Sequence, residues 1–234
     1  MTNIKKNQYG IYIIIEARST SRRLKQKHLF KFQGISLIKL LVKKLKKIKY
    51  INGIILATTT NKIENELIKD LKSEKIKVYR GSELNVLERV VKAGKKYKVK
   101  AICRVTGDCP LIDIRFVQEL VDTFIKKKYR KVDFISNSKG LPVGQGGSII
   151  KLQILDKIYK STDKVRHKEF ITSYIWENKK KFNTIIIKPK KKFNFPKIRM
   201  CLDTKKDLNF IEKISKKYNL LNLKIEDILK FKKI

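Results

Sequence analysis

The sequence predicts an α/β protein: a single doubly wound, mostly parallel sheet with an irregular arm in its second half. Three observations predict it. Five consecutive apolar residues, Ile11 to Ile15, are too few to cross a bilayer and too β-branched to start a helix, so they read as a strand buried on both faces. Short β-branched runs then alternate with amphipathic helical stretches through the first 130 residues, which commits a chain to right-handed βαβ crossovers. Basic, hydroxyl-bearing and acidic residues gather directly after the strands, at the edge where open parallel sheets bind ligands.

Each element has a local reason. Leu37, Ile38, Leu41, Leu45 and Ile48 form one helical stripe, and Lys39, Lys43, Lys44, Lys46 and Lys47 occupy the solvated side. The turn pair Asn52-Gly53 leads into a second buried strand, GIILATTT. Asn61 with Glu64 suggests a capping box for a helix striped by Ile63, Leu67, Ile68 and Leu71. A third strand, IKVYR, is followed by Gly81-Ser82 and a helix carrying Leu84, Leu87, Val90, Val91 and Tyr97. AICRVT is the fourth strand, and Asp113 caps the helix that presents Phe116, Val117, Leu120, Val121, Phe124 and Ile125. Beyond it VDFISN reads as a strand and LPVGQGG as a flexible loop. Helices from Leu152 to Ser161 and from Phe170 to Glu177, strands at TIIIK and KIRMCL, a mobile basic loop KPKKKFNF and two closing amphipathic helices over Asp207 to Ile234 complete the chain.

Composition narrows the class. The 58 Lys and Arg against 21 Asp and Glu give a formal net charge of +37, which raises the question of nucleic acid. Arg and aromatic residues are not interleaved in the basic runs, as a stacking platform would require, so nucleic acid is not the expected partner. Cys103, Cys109 and Cys201 lack C-x-x-C spacing, and His28 and His167 are the only histidines, so neither a disulfide framework nor a zinc centre is implied. With no secretory leader pattern and no long apolar run, a cytoplasmic protein without membrane insertion is expected.

The chemistry-bearing stretch follows the first strand. Arg18, Arg22, Arg23, Lys25 and Lys27 are interleaved with Ser19, Thr20 and Ser21, and Arg is the fork-shaped donor suited to phosphate. The competing reading is a basic surface loop in a Lys-rich chain. Asp108 ends the fourth strand on the same rim as Arg18, and a carboxylate beside a phosphate site calls for a divalent cation between them. Asp203 repeats the situation, and two such carboxylates could hold metal and assist displacement at phosphorus.

Together the blocks A-R-x-x-S-x-R-L-x-x-K-x-L (Ala17 to Leu29), ATTTN (Ala57 to Asn61), R-G-S-E-x-x-V-L-x-R (Arg80 to Arg89), R-x-T-G-D-C-P-L-I-D (Arg104 to Asp113) and L-D-T-x-x-D-L resemble the sugar cytidylyltransferases. The chain is most similar to the branch named for spore-coat polysaccharide synthesis, related to the acylneuraminate and Kdo enzymes. The resemblance implies a Rossmann-like nucleotidyltransferase that transfers CMP from CTP to an acidic sugar, releases pyrophosphate, needs Mg²⁺ and forms a homodimer. It implies a single domain over residues 1–234, with a nucleotide-binding half at 1–137 and an acceptor-binding and dimerisation half at 138–234. By position, Arg18, Arg23 and Lys27 would clamp the triphosphate, and Ala17, Arg80 and Ser82 would contact the base. Ser21 and Thr106 complete the nucleotide set, Asp108 and Asp203 would hold Mg²⁺, and Arg18, Lys27 and Asp108 would be catalytic. Gln145, Glu169 and Tyr174 would face the acceptor.

Departures stand beside these matches. Thr20 replaces the family's usual Gly, Lys25-Gln26 its Pro-Gly, and Phe170 its His, while Gly146 and Ser148 replace acidic residues. The nucleotide half is therefore expected to be better kept than the acceptor half. The alternatives are GTP or another acceptor on the same fold, an inactive homologue, and a nucleic-acid-binding protein.

Overall fold

The computed structural model describes residues 9–21, 23–127 and 131–233; Arg22 of the basic loop, the leading Met1 to Gln8 and Ile234 lie outside them. Its centre is a seven-stranded sheet. In spatial order the strands are β5 (Lys77–Gly81), β4 (Gly53–Thr59), β1 (Ile11–Glu16), β6 (Ala101–Thr106), β8 (Ser148–Lys151), β7 (Phe134–Ser136) and β9 (Thr184–Ile186). All pair parallel except β8, which runs antiparallel to both neighbours. Lys31–Phe32 and Ile35–Ser36 form a separate small hairpin, β2 and β3.

The strict alternation of strand side chains divides the core into two layers. Ile11, Ile13, Ile15, Leu56, Cys103 and Ile149 pack with α1 (Leu37–Leu45), α2 (Glu64–Asp70) and α4 (Ile114–Lys126) on one face. Ile14, Ile55, Ile102, Phe134 and Ile150 pack with α3 (Val86–Lys96), α5 (Leu152–Ser161) and α7 (Ser173–Glu177) on the other. A third cluster joins α8 (Lys205–Lys217) and α9 (Ile225–Phe231) to Leu37, Leu40, Leu111 and Phe116. Asp113 binds this cluster to the sheet: its carboxylate accepts from Arg115 N at the start of α4 (3.0 Å) and from Ile225 N at the start of α9 (3.0 Å). No described helix is long and apolar enough to cross a membrane.

Several expectations are corrected. KIRMCL forms no strand; it meets the 141–147 loop through a single bridge, Val143 to Arg199, and the place beside β6 is taken by β8, a strand hidden in the short apolar run SII. That loop is packed rather than flexible, with Leu141 and Gln145 buried. KPKKKFNF is anchored by Phe193, which is buried edge-on against Phe116 at 5.6 Å. The stretch from Phe170 to Glu177 is not one helix: α6 (Val165–Glu169) precedes α7, and Phe170 between them is exposed. Helix α3 starts later than the Gly81-Ser82 pair, with Asn85 as its cap, so Leu84 projects into solvent. Lys44, expected on the wet side of α1, is 2% exposed because the carboxyl-terminal cluster covers that face.

Candidate active site

The carboxyl ends of β1, β4, β5 and β6 share one rim, as parallel pairing requires. The loop leaving β1 is folded onto it from two flanks. On one, buried Glu64 accepts from Ser19 N (2.8 Å) and Ser19 Oγ (2.9 Å); on the other, Glu83 accepts the Thr20 hydroxyl (2.6 Å), and its main-chain oxygen accepts Arg18 Nη1 (3.3 Å). Gln26, in the left-handed region at φ 50°, turns the chain back, with its N–H on Ser19 O at 3.1 Å. The turn delivers Lys27 and His28 into the interior. His28 bonds through Nδ1 to Gly107 O (3.1 Å), and burial with the adjacent Lys27 ammonium drops its pKa to about 4, so the ring is neutral.

Lys27 reaches the centre of the rim. Its ammonium donates to Asp108 Oδ2 at 3.2 Å and Asp203 Oδ1 at 2.9 Å. Arg23 stands 3.2 Å from the same Asp203 oxygen, and Arg199 donates to the other at 2.8 Å. Burial pushes both carboxyls up and the Lys27 ammonium down. The ion contacts outweigh burial in every case, so both aspartates lie below the usual carboxylate range and Lys27 above the usual lysine value. Asp203 is carried in by an extended segment rather than a strand: Leu202 N bonds to Asp108 O at 2.7 Å, and Asp203 N bonds to Asp207 Oδ2 at 2.9 Å, within the capping box of α8. Two carboxylates 95 residues apart in the chain thus share one cation.

A family model described as cytidylyltransferase matches residues 12–228. The chain belongs to the cytidylyltransferase family. It is 33% identical over 218 residues to an uncharacterized protein of Methanocaldococcus jannaschii, covering 93% of this chain and 88% of that one. It is 26% identical over 212 residues to the spore coat polysaccharide biosynthesis protein SpsF of Bacillus subtilis, covering 88% of this chain and 87% of SpsF. A cytidylyltransferase structure from Leptospira borgpetersenii superposes with a TM-score of 0.89 at 27% identity, over 97% of this chain and 95% of that one. A CMP:2-keto-3-deoxy-manno-octonic acid synthetase complexed with CTP shares the fold, with a TM-score of 0.67 at 15% identity over 87% of this chain and 97% of that one.

In this cytidylyltransferase the remaining singled-out residues sort by contact. Ala17 is buried where β1 ends, its N–H 3.5 Å from Ala57 O. Ser21 and Thr106 are half-buried at the rim, and the Thr106 hydroxyl lies 2.9 Å from Cys109 Sγ. Arg80 spends its guanidinium on the turn after β4, donating to Thr59 O, Thr60 O, Asn61 O and Asn65 Oδ1. The Ser82 hydroxyl accepts from Asn85 N at 3.0 Å, ahead of α3.

The acceptor set does not converge. Gln145 is fully buried, its amide bridging Asp113 N (2.8 Å) and Leu111 O (2.9 Å), so it braces the rim from inside instead of facing a ligand. Tyr174 packs edge-on against His167 and Phe182 in the α3-side core, and Glu169 is exposed on α6. His167 is buried between Thr162 Oγ1 (2.6 Å) and Glu177 Oε2 (2.8 Å).

Sequence reasoning missed Glu64, Glu83 and Arg199. The expected capping box does not form: α2 starts at Glu64 with Ile63 as its N-cap, Asn61 Oδ1 accepts from Ile63 N in the preceding turn, and the Glu64 carboxylate turns into the first loop. Arg199 had a readable signal: it lies four residues before Asp203, on the same segment.

Proposed function

We propose that this enzyme transfers CMP from CTP to an acidic sugar. The acceptor hydroxyl oxygen attacks the α-phosphorus, the bond to the bridging α–β oxygen breaks, pyrophosphate leaves and the hydroxyl proton passes to solvent. The observation that supports this best is the seat between Asp108 and Asp203, where a cation already stands 3.2 and 2.9 Å from the two carboxylates.

That donor set fits Mg²⁺. No group of three or more His, Cys, Asp or Glu that could hold a metal exists among the described residues, so two carboxylates would leave the remaining positions to phosphate oxygens and water, the usual habit of this ion. When bound, it would neutralise developing charge on the phosphates. The chain's own residues do the rest. Arg18, Arg23 and Lys27 clamp the triphosphate, Ser21 and Thr106 add hydroxyl contacts, and Ala17, Arg80 and Ser82 border the base. In this reaction class such positioning and charge neutralisation supply most of the rate. The Thr20 substitution is compatible with this role, since its hydroxyl is absorbed by Glu83. A homodimer through the second half is supported by the exposure of Val165 and Phe170 on and beside α6.

The test is pyrophosphate release from purified protein with Mg²⁺, each nucleoside triphosphate in turn and a panel of sugar acids. Release with CTP and a sugar acid is expected. Release with GTP alone would overturn the base assignment, and no release from any pair would remove the transferase reading.

A further inference from the structure

Asp203 divides its two oxygens between two directions. Oδ1 faces the first loop through Lys27 and Arg23, and Oδ2 faces Arg199. On the Arg199 side lies a cavity of about 310 Å³, lined by Lys197, Arg199, Lys206 and Lys232 over the ring of Phe210. This size is at the lower end for small-molecule sites. The four cations come from three separate places: the extended segment before Asp203, the first turn of α8 and the end of α9. Among the described residues, Lys197, Lys206 and Lys232 form no ion pair with a carboxylate, and Lys232 instead rests its ammonium 4.0 Å from the centre of the Phe210 ring. The one acid in the lining, Asp207, accepts through Oδ2 from Asp203 N, Thr204 N and Thr204 Oγ1 at 2.9, 2.9 and 3.0 Å, and its single charge leaves the four cations in excess.

Converging like charges around an open cavity repel one another, and a small oxyanion is the ligand that relieves them. We propose that this cleft reads the acid group of the acceptor: a sugar carboxylate held by Arg199, Lys206 and Lys232. The assignment rests on the transferase reading above and adds where the acceptor's charge is recognised. It gives the two anionic substrates opposite sides of Asp203, with the triphosphate on the Lys27 side and the sugar acid on the Arg199 side. Phosphate shares the oxyanion chemistry, so pyrophosphate is the ligand to be told apart.

Calorimetric titration of the full-length protein tests it, with Mg²⁺ and a CTP analogue blocked at the α–β bridge present throughout. The probes are N-acetylneuraminate, neutral N-acetylmannosamine and pyrophosphate. N-acetylneuraminate is expected to bind and the neutral sugar not to. The double variant Lys206→Met/Lys232→Met is expected to bind the acid at least about tenfold more weakly, a loss of about 1.4 kcal/mol, while its affinity for the CTP analogue stays within about twofold. Lys197→Met, at an exposed position, gives a smaller loss in the same direction and serves if the double variant misfolds. Unchanged acid affinity in the variants, or no acid binding by a wild type that binds the CTP analogue, overturns the site. Loss confined to pyrophosphate overturns the sugar-acid assignment. A wild type that does not bind the CTP analogue sinks the transferase reading itself and this assignment with it.

Discussion

Lys27 donates to Asp203 across 176 residues of sequence, at 2.9 Å, and the same ammonium holds Asp108 at 3.2 Å. A lysine whose side chain is 9% exposed thus stands in the seat proposed for a divalent ion. Substituting Lys27→Met leaves two half-buried carboxylates facing each other without their shared cation, which should lower stability, as read by Tm. It should also raise the affinity for Mn²⁺ without nucleotide by about tenfold or more, as read by electron paramagnetic resonance. With nucleotide present, turnover should fall on the order of 100-fold, because the clamp on the triphosphate is lost. Equal Mn²⁺ affinity in the two proteins would show that Lys27 does not compete for that seat.

Asp108 and Asp203 make separable contributions. Asp108→Asn and Asp203→Asn should each reduce turnover by roughly 100-fold or more while leaving the circular dichroism spectrum unchanged. The Asp203 variant should in addition loosen Arg23 and Arg199, which its carboxylate holds at 3.2 and 2.8 Å. Full activity in either variant would refute its assignment as a metal ligand.

Glu64 supports the first loop from beneath without reaching its outer surface. Its carboxylate accepts from Ser19 N, Ser19 Oγ and Thr59 Oγ1, and it is fully buried. Glu64→Ala orphans these donors, costing about 2 kcal/mol of stability, and should raise the KM for CTP more than it lowers kcat. A kcat loss at constant KM would instead place Glu64 in the chemical step.

Lys44 gives a pH signature remote from the reaction centre. Its buried ammonium has no hydrogen-bond partner among the described residues, and burial lowers its pKa to about 8. The unfolded chain, with an ordinary lysine value of about 10.4, therefore binds more protons than the native one between pH 8 and 10.4, so this group makes stability rise with pH across that window. Below pH 8 the penalty is complete, on the order of 3 kcal/mol. Lys44→Met should accordingly raise Tm at pH 7, with the advantage shrinking as pH climbs past 8. A difference in Tm independent of pH would contradict the buried charge.

Much of this architecture could be read from residue order, and the parts that could not share a cause. Strands β1, β4 and β6 announce themselves because both of their faces are buried, which leaves an unbroken apolar run. Strand β8 has only SIIK and an antiparallel partner on each side, so its identity comes from the neighbours it pairs with. The carboxyl-terminal region was misread in the same way, since KIRMCL has strand composition yet pairs only through the single bridge of Arg199 to Val143.

The sequence by itself determined the parallel sheet, the cationic loop after its first strand and the two aspartates, because periodicity and residue chemistry are local properties. Only the tertiary structure decided that Lys27 would stand between those aspartates and that Gln145 would turn inward. These are contacts among side chains on different segments. Their geometry is fixed by how the core packs beneath the rim, and no stretch of the chain encodes that packing alone.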